Sequence, residues 1–178
     1  MTQEQKYEVV ALRDGYEIRH YPPCVLAQVQ LTGDFNEAGS NAFGSLFRFI
    51  SGANRAGKKI SMTAPVLQHS SQSTRLKVWD DHTVSFVLPT EMTIEDAPAP
   101  TDDRVTLRRT SDQLVAALRF SGRMSVENYE TNTRRLQEYL ARDGYLLSDV
   151  PRIARFNAPW TPGFMRRNEI QIPVALPN

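Results

Sequence analysis

Few side chains in this sequence are of types that do chemistry, and none is spaced as a familiar catalytic motif. His20 closes an extended segment directly before Tyr21-Pro22-Pro23, where proline removes backbone donors and turns the chain. An imidazole there can offer a nitrogen to a metal, or can simply sit on the surface at a strand end. Cys24 follows, and as the one cysteine it excludes an internal disulfide and a cysteine-rich zinc site. His69 and His82 lie in other segments, without the spacing of a three-ligand zinc site. His69 also sits in a Ser/Gln-rich stretch, HSSQST, that reads as a mobile loop.

The stretch 52–58, GANRAGK, matches the start of a phosphate loop. The next residue is Lys59 rather than Ser or Thr, and the stretch leaves a helix for a strand, the reverse of the required context. It reads as a helix stop. No G-x-S-x-G, H-E-x-x-H, G-x-G-x-x-G or C-x-x-C occurs, and no nucleophile is paired with a base, so hydrolytic chemistry has no support. Glu169, in RRNEI, is the acid to inspect for an enzyme working in a cleft, although Arg167 beside it favours an ion pair.

A different kind of site is suggested by Ala42, Phe43, Leu46, Phe47 and Ile50, an apolar stripe at helical spacing. Core packing accounts for the stripe, yet Arg48 and Phe49 beside it make the helix more apolar than one buried face requires. Such a surface with arginine at its rim suits a flat apolar ligand bearing carboxylates, such as a tetrapyrrole. The pairs Arg108-Arg109, Arg134-Arg135 and Arg166-Arg167 read as solvated or ion-paired positions, not as a nucleic-acid stripe.

The elements that hold these residues come in two copies. At an offset of 89, residues 16–33 overlie residues 105–122, with Ile18 on Leu107, Ala27 on Ala116 and Leu31 on Phe120. Each copy reads as two strands around a break, at Pro22-Pro23 and at Ser111-Asp112, with Val25, Ala27, Val29 and Leu31 alternating as in a half-buried strand. A helix follows each: the stripe above, stopped by Gly52, and Val126, Tyr129, Leu136, Tyr139 and Leu140, capped by Ser125 and stopped at Gly144. A strand ending in a proline turn comes next, Thr63-Ala64-Pro65 or Asn157-Ala158-Pro159, and then a last strand, 84–89 or 169–173. Residues 1–178 therefore read as a single α+β domain, with copies at about 7–90 and 104–174 joined by the polar segment 91–104. A cleft between the halves is the natural ligand site.

Composition agrees. The 178 residues are 40% hydrophobic and 23% charged, which excludes global disorder, and the net charge of +1 excludes binding driven by nucleic-acid phosphates or an anionic membrane. The basic residues are 17 Arg and 4 Lys, favouring the planar fork that suits carboxylates and phosphates. No apolar run approaches a bilayer span, and MTQEQKYEVV lacks a secretory pattern, so a cytoplasmic location is expected. The oligomeric state has no signature here.

YEIRHYPP, FRFISGAN, GKKISMTAPV and NAPWTPGFMRRNEIQIPV, in this order, resemble the SOUL/haem-binding protein family from about Tyr7 to Val174. The resemblance implies a distorted antiparallel β-barrel of pseudo-two-fold symmetry flanked by two α-helices, and a non-catalytic protein that binds haem or another porphyrin. His20 occupies the position proposed as axial haem ligand in one branch; the related branch requires no such ligand. There haem lies against the first helix, which places Phe43 and Phe47 at apolar contacts and Arg48 at a basic one. A second basic position near the C-terminal proline turn is Thr161 here, a departure that weakens the propionate clamp. The alternatives are a general module for small hydrophobic ligands, like bacterial effector-binding domains, and an enzyme acting on tetrapyrroles.

Overall fold

A computed structural model describes residues 2–71 and 80–176. Its elements in chain order are β1 (Gln3–Glu4), β2 (Glu8–Arg13), β3 (Tyr16–Tyr21), β4 (Val25–Gly33), α1 (Phe35–Ile50), β5 (Thr63–Ala64), β6 (Val66–Ser70) and β7 (Asp80–Val87), then β8 (Val105–Arg109), β9 (Gln113–Phe120), α2 (Val126–Asp143), β10 (Leu146–Leu147), β11 (Arg152–Arg155), a 3₁₀ turn (Gly163–Met165) and β12 (Asn168–Ala175). The fold is α+β. One ten-stranded sheet runs β2-β3-β9-β12-β11-β6-β7-β4-β8, with β10 also on β12, and its pairings are antiparallel throughout. Its end strands β2 and β8 are not joined among the described residues, so the barrel is a distorted, open cup.

Each helix covers one half of the sheet. Leu46, Phe49 and Ile50 of α1 pack on Val25, Ala27 and Val29 of β4 and on Val84 and Phe86 of β7. Tyr129, Leu136 and Leu140 of α2 pack on Ile18, Leu118, Ile170 and Ile172. Asp34 caps α1 by accepting the Asn36 and Glu37 amides, and Ser125 caps α2 by accepting that of Asn128. Gly144 ends α2 in the left-handed region at φ 80°. After α1, Gly52 has φ 116°, and the Asn54 carboxamide bonds to Phe49 O, Lys58 O and Lys58 N. The phosphate-loop lookalike is thus folded as a helix stop.

Four local expectations need correction. Along β4 the alternation is one of faces, not of exposure: Gln28 is buried as well, donating to Ser85 Oγ at 3.0 Å, because the curved sheet also closes its other face. In α1, Phe49 is core at 1% exposure and Phe47 lies outside at 49%, since residue 49 is in helical phase with 42 and 46. The proline turns are not equivalent: Pro65 precedes β6, whereas Pro159 follows β11. His69 is not in a loop but in β6, opposite Thr83; residues 72–74 of that stretch lie outside the described residues. The segment 91–104 is packed in place, with Met92, Ile94 and Ala97 on the α1 core and Arg55 N bonded to Ala99 O.

Candidate functional site

Strands β6 and β11 are antiparallel neighbours with Val66 opposite Arg155, which brings both proline turns to one end of the sheet. Together with the N-terminal half of α1 they enclose a cavity of about 370 Å³. Asn36, Ser40 and Phe43 line it at helical spacing, and Val66, Met124, Ala158 and Pro159 face them. Gly39 makes the approach of helix and sheet possible: a Cβ there would come within 3.0 Å of Gln68 Oε1. Gln68 itself is fully buried, donating to Phe35 O at 2.9 Å and accepting from Arg155 Nη1 at 2.8 Å.

Two arginines give the cavity its charge. Arg155 lies over the Phe35 ring at 5.4 Å, and Arg166 donates to the carbonyls of Thr161, at 2.7 Å, and of Pro159. Neither has a carboxylate within salt-bridge distance among the described residues. Burial, with Arg166 adding repulsion, lowers the Arg155 pKa to about 10. Two guanidiniums beside apolar walls, bonded among the described residues to neutral oxygens, are a complement for carboxylates.

The residues singled out from the sequence divide. Phe43 lines the cavity, and Phe47 stacks on it at 5.9 Å and 11°. Arg48 points elsewhere, donating to Ser45 Oγ at 3.2 Å and approaching Asp102 at 3.9 Å. His20 is also apart, its Nε2 2.8 Å from Asp112 Oδ1. It pairs with Leu114, level with the far end of β12, whereas Asn168 at the start of β12 borders the cavity. That is six residues of strand, roughly 20 Å. Glu169 is an ion-pair residue: fully buried, it binds Arg19 at 2.7 and 3.0 Å and Arg167 at 3.0 Å, which outweigh burial and hold its pKa below the usual range.

Sequence reading missed Arg155, Gln68 and Gly39. The signal for Gly39 was available, because a glycine inside a helix costs about 1 kcal/mol and asks for a packing reason. At Thr161, where the resemblance leads one to expect a basic side chain, the Arg166 guanidinium lies on the backbone carbonyl.

Fold and site define a small α+β protein with a ligand-sized cavity between helix and sheet. The chain belongs to the SOUL heme-binding protein family, whose profile matches residues 2–173. It is 28% identical over 147 residues to human Heme-binding protein 2, covering 82% of this chain and 71% of that one. Against pig Heme-binding protein 1 it is 26% identical over 163 residues, covering 88% and 82%. Among solved structures it resembles the C-terminal domain of EcmrR, with TM-score 0.66, 16% identity and coverage of 95% and 98%. A hydrolase from Listeria innocua has TM-score 0.62 at 13% identity, covering 93% and 94%. At those identities the likeness is one of fold alone. Among the described residues no helix is long and apolar enough to cross a membrane, and no cluster of three metal-binding side chains occurs.

Proposed function

We propose that this protein is a non-catalytic, cytoplasmic binder of haem or a related porphyrin, holding the macrocycle in the cavity between α1, β6 and the 156–167 loop. The observation that carries the reading is the pair Arg155 and Arg166, cationic, without carboxylate partners among the described residues, and set beside Phe43, Val66 and Pro159. Apolar burial of the ring supplies affinity at roughly 25 cal/mol per Å², and the guanidiniums fix the propionates. The related proteins named for haem binding support the same ligand class. Phe43 and Phe47 form the apolar contact; Arg48 serves at most at the outer rim. His20 as iron ligand requires a second binding position at the far end of β3. Met124 is the soft side chain on the cavity lining itself.

The sheet order supports the reading of one domain made of two copies. Exchanging β3, β4, β6 and β7 with β8, β9, β11 and β12 turns the order β3-β9-β12-β11-β6-β7-β4-β8 into its own reverse.

Haemin titration followed by the Soret band and by quenching of the exposed Trp160 tests the proposal. Saturable binding is expected, weakened about tenfold or more by Arg155→Ala with Arg166→Ala. No Soret change, or equal affinity in the double variant, overturns it. His20→Ala is expected to leave the spectrum unchanged, and a shifted Soret band in that variant would move the iron to β3.

A further inference from the structure

We propose that the opposite face of the sheet carries a second ligand site, for a small organic anion bearing carboxylate or phosphate groups. A cavity of about 430 Å³ opens there over β2, β3, β9 and β12. Ile18, Ala116, Leu118 and Ile170 point to α2, and the alternate residues Glu17, Arg19, Ala117, Arg119 and Glu169 line the cavity. Its floor is Ala117, opposite Glu17 on β3 and Gln171 on β12, a short side chain between long ones. The volume accommodates a small molecule's body as well as its charge, and Tyr7 and Leu12 give that body an apolar wall.

The charge inventory decides the ligand's sign. Four arginines, Arg13, Arg19, Arg119 and Arg167, face two glutamates. Both glutamates are already engaged: Glu17 accepts from Arg19 Nε at 2.7 Å, and Glu169 accepts from Arg19 and Arg167. Arg167 also reaches Glu4 at 3.1 Å, outside the cavity. An organic cation therefore finds no open carboxylate here. Arg13 donates to the neutral Tyr145 hydroxyl at 2.8 Å, and Asp143 nearby is occupied by Arg142 at 2.8 Å and Tyr16 at 2.6 Å. Arg119 has no side-chain partner among the described residues. Two guanidiniums are thus left to a ligand, and their planar forks match carboxylate and phosphate oxygens. This site is independent of the tetrapyrrole cavity.

Thermal unfolding of the full chain with increasing citrate, for carboxylate, and pyrophosphate, for phosphate, tests the proposal at ionic strength held constant with sodium chloride. A saturable stabilisation by at least one anion is expected, its apparent affinity about tenfold weaker in Arg119→Ala and in Arg13→Ala, and abolished in Arg119→Glu. Arg155→Ala with Arg166→Ala is expected to leave it intact. Arg119 is exposed, so Arg119→Ala keeps the parent midpoint without anion, which separates binding from folding. The proposal is overturned if neither anion gives a saturable shift, if the shift survives in Arg119→Glu, or if only the double variant removes it.

Discussion

The two faces of this sheet use arginine in opposite ways. Away from α2, the buried Arg19 grips the fully buried Glu169 through two bonds, and Arg167 closes on the same carboxylate. On the α1 side, Arg155 and Arg166 bond, among the described residues, to amide and carbonyl oxygens. Burial opposes charge in both places, with different outcomes. Glu169 outweighs it at Arg19 and holds that guanidinium above its ordinary range, whereas Arg155 is pulled down to about 10. A cation with its counter-charge built in is a brace. One without it is a standing demand for an anion, and that contrast separates structure from site here more clearly than any motif does.

The sharpest way to break the contrast is to remove a charge from each face. Glu169→Gln leaves the buried Arg19 with Glu17, at its Nε, as its remaining carboxylate partner, and a loss of about 3 kcal/mol is expected in urea unfolding. Arg166→Gln takes away a cation bonded to loop carbonyls and is expected to cost under about 1 kcal/mol. Equal losses would show that the α1-side arginines are braces as well.

Protons probe both faces at once. His82 is 1% exposed and edge-on to Phe35, with the Gly33 backbone beside its ring. Burial lowers its pKa below 6.5 despite Asp80, Asp34 and Asp81 nearby. On the other face of the sheet, burial and then Arg152 lower that of His69, with Asp149 pulling the other way. Well above pH 6.5 both histidines are neutral in the folded and unfolded chain alike, so their contribution is fully present. As pH falls through 6.5 the unfolded chain takes up protons that the folded one resists, and stability drops. The slope reaches at most about 1.4 kcal/mol per pH unit for each histidine, and His82→Leu is expected to remove one share. Unfolding midpoints that stay flat as pH falls below this value would contradict the buried, neutral state of both.

What was legible in the sequence was whatever local physics dictates. The cap Ser125, the stop at Gly144 and the strand breaks at Pro22-Pro23 and Ser111-Asp112 depend on neighbours in the chain, so their signals are complete within a few residues. The cavity is not of that kind. Arg155, Gln68 and Gly39 meet across three elements, and only the β6–β11 register, with Val66 opposite Arg155, brings them together. The pair Arg166-Arg167 looked uniform in sequence, yet one member is ion-paired to Glu4 and Glu169 and the other is not, because adjacent residues entering a strand point to opposite sides. His20 was conspicuous for its residue type, and its position was set by a strand pairing that no spacing reveals.

The smallest expected effect concerns Phe47, where the stripe in the sequence and the face in the structure diverge. Its ring is about half exposed and stacks on Phe43, which itself lies edge-on to the core residue Phe86 at 5.3 Å. Phe47→Ala therefore removes an outer layer without opening a void, and a stability change within about 0.5 kcal/mol is expected. Its effect should fall on the ligand instead, since the exposed ring extends the apolar wall that begins at Phe43. Haemin affinity measured beside the urea midpoint separates the two roles: weaker binding at an unchanged midpoint assigns Phe47 to the site. A lowered midpoint at unchanged affinity would return it to the core, and would confine the α1-side site to residues 36–43.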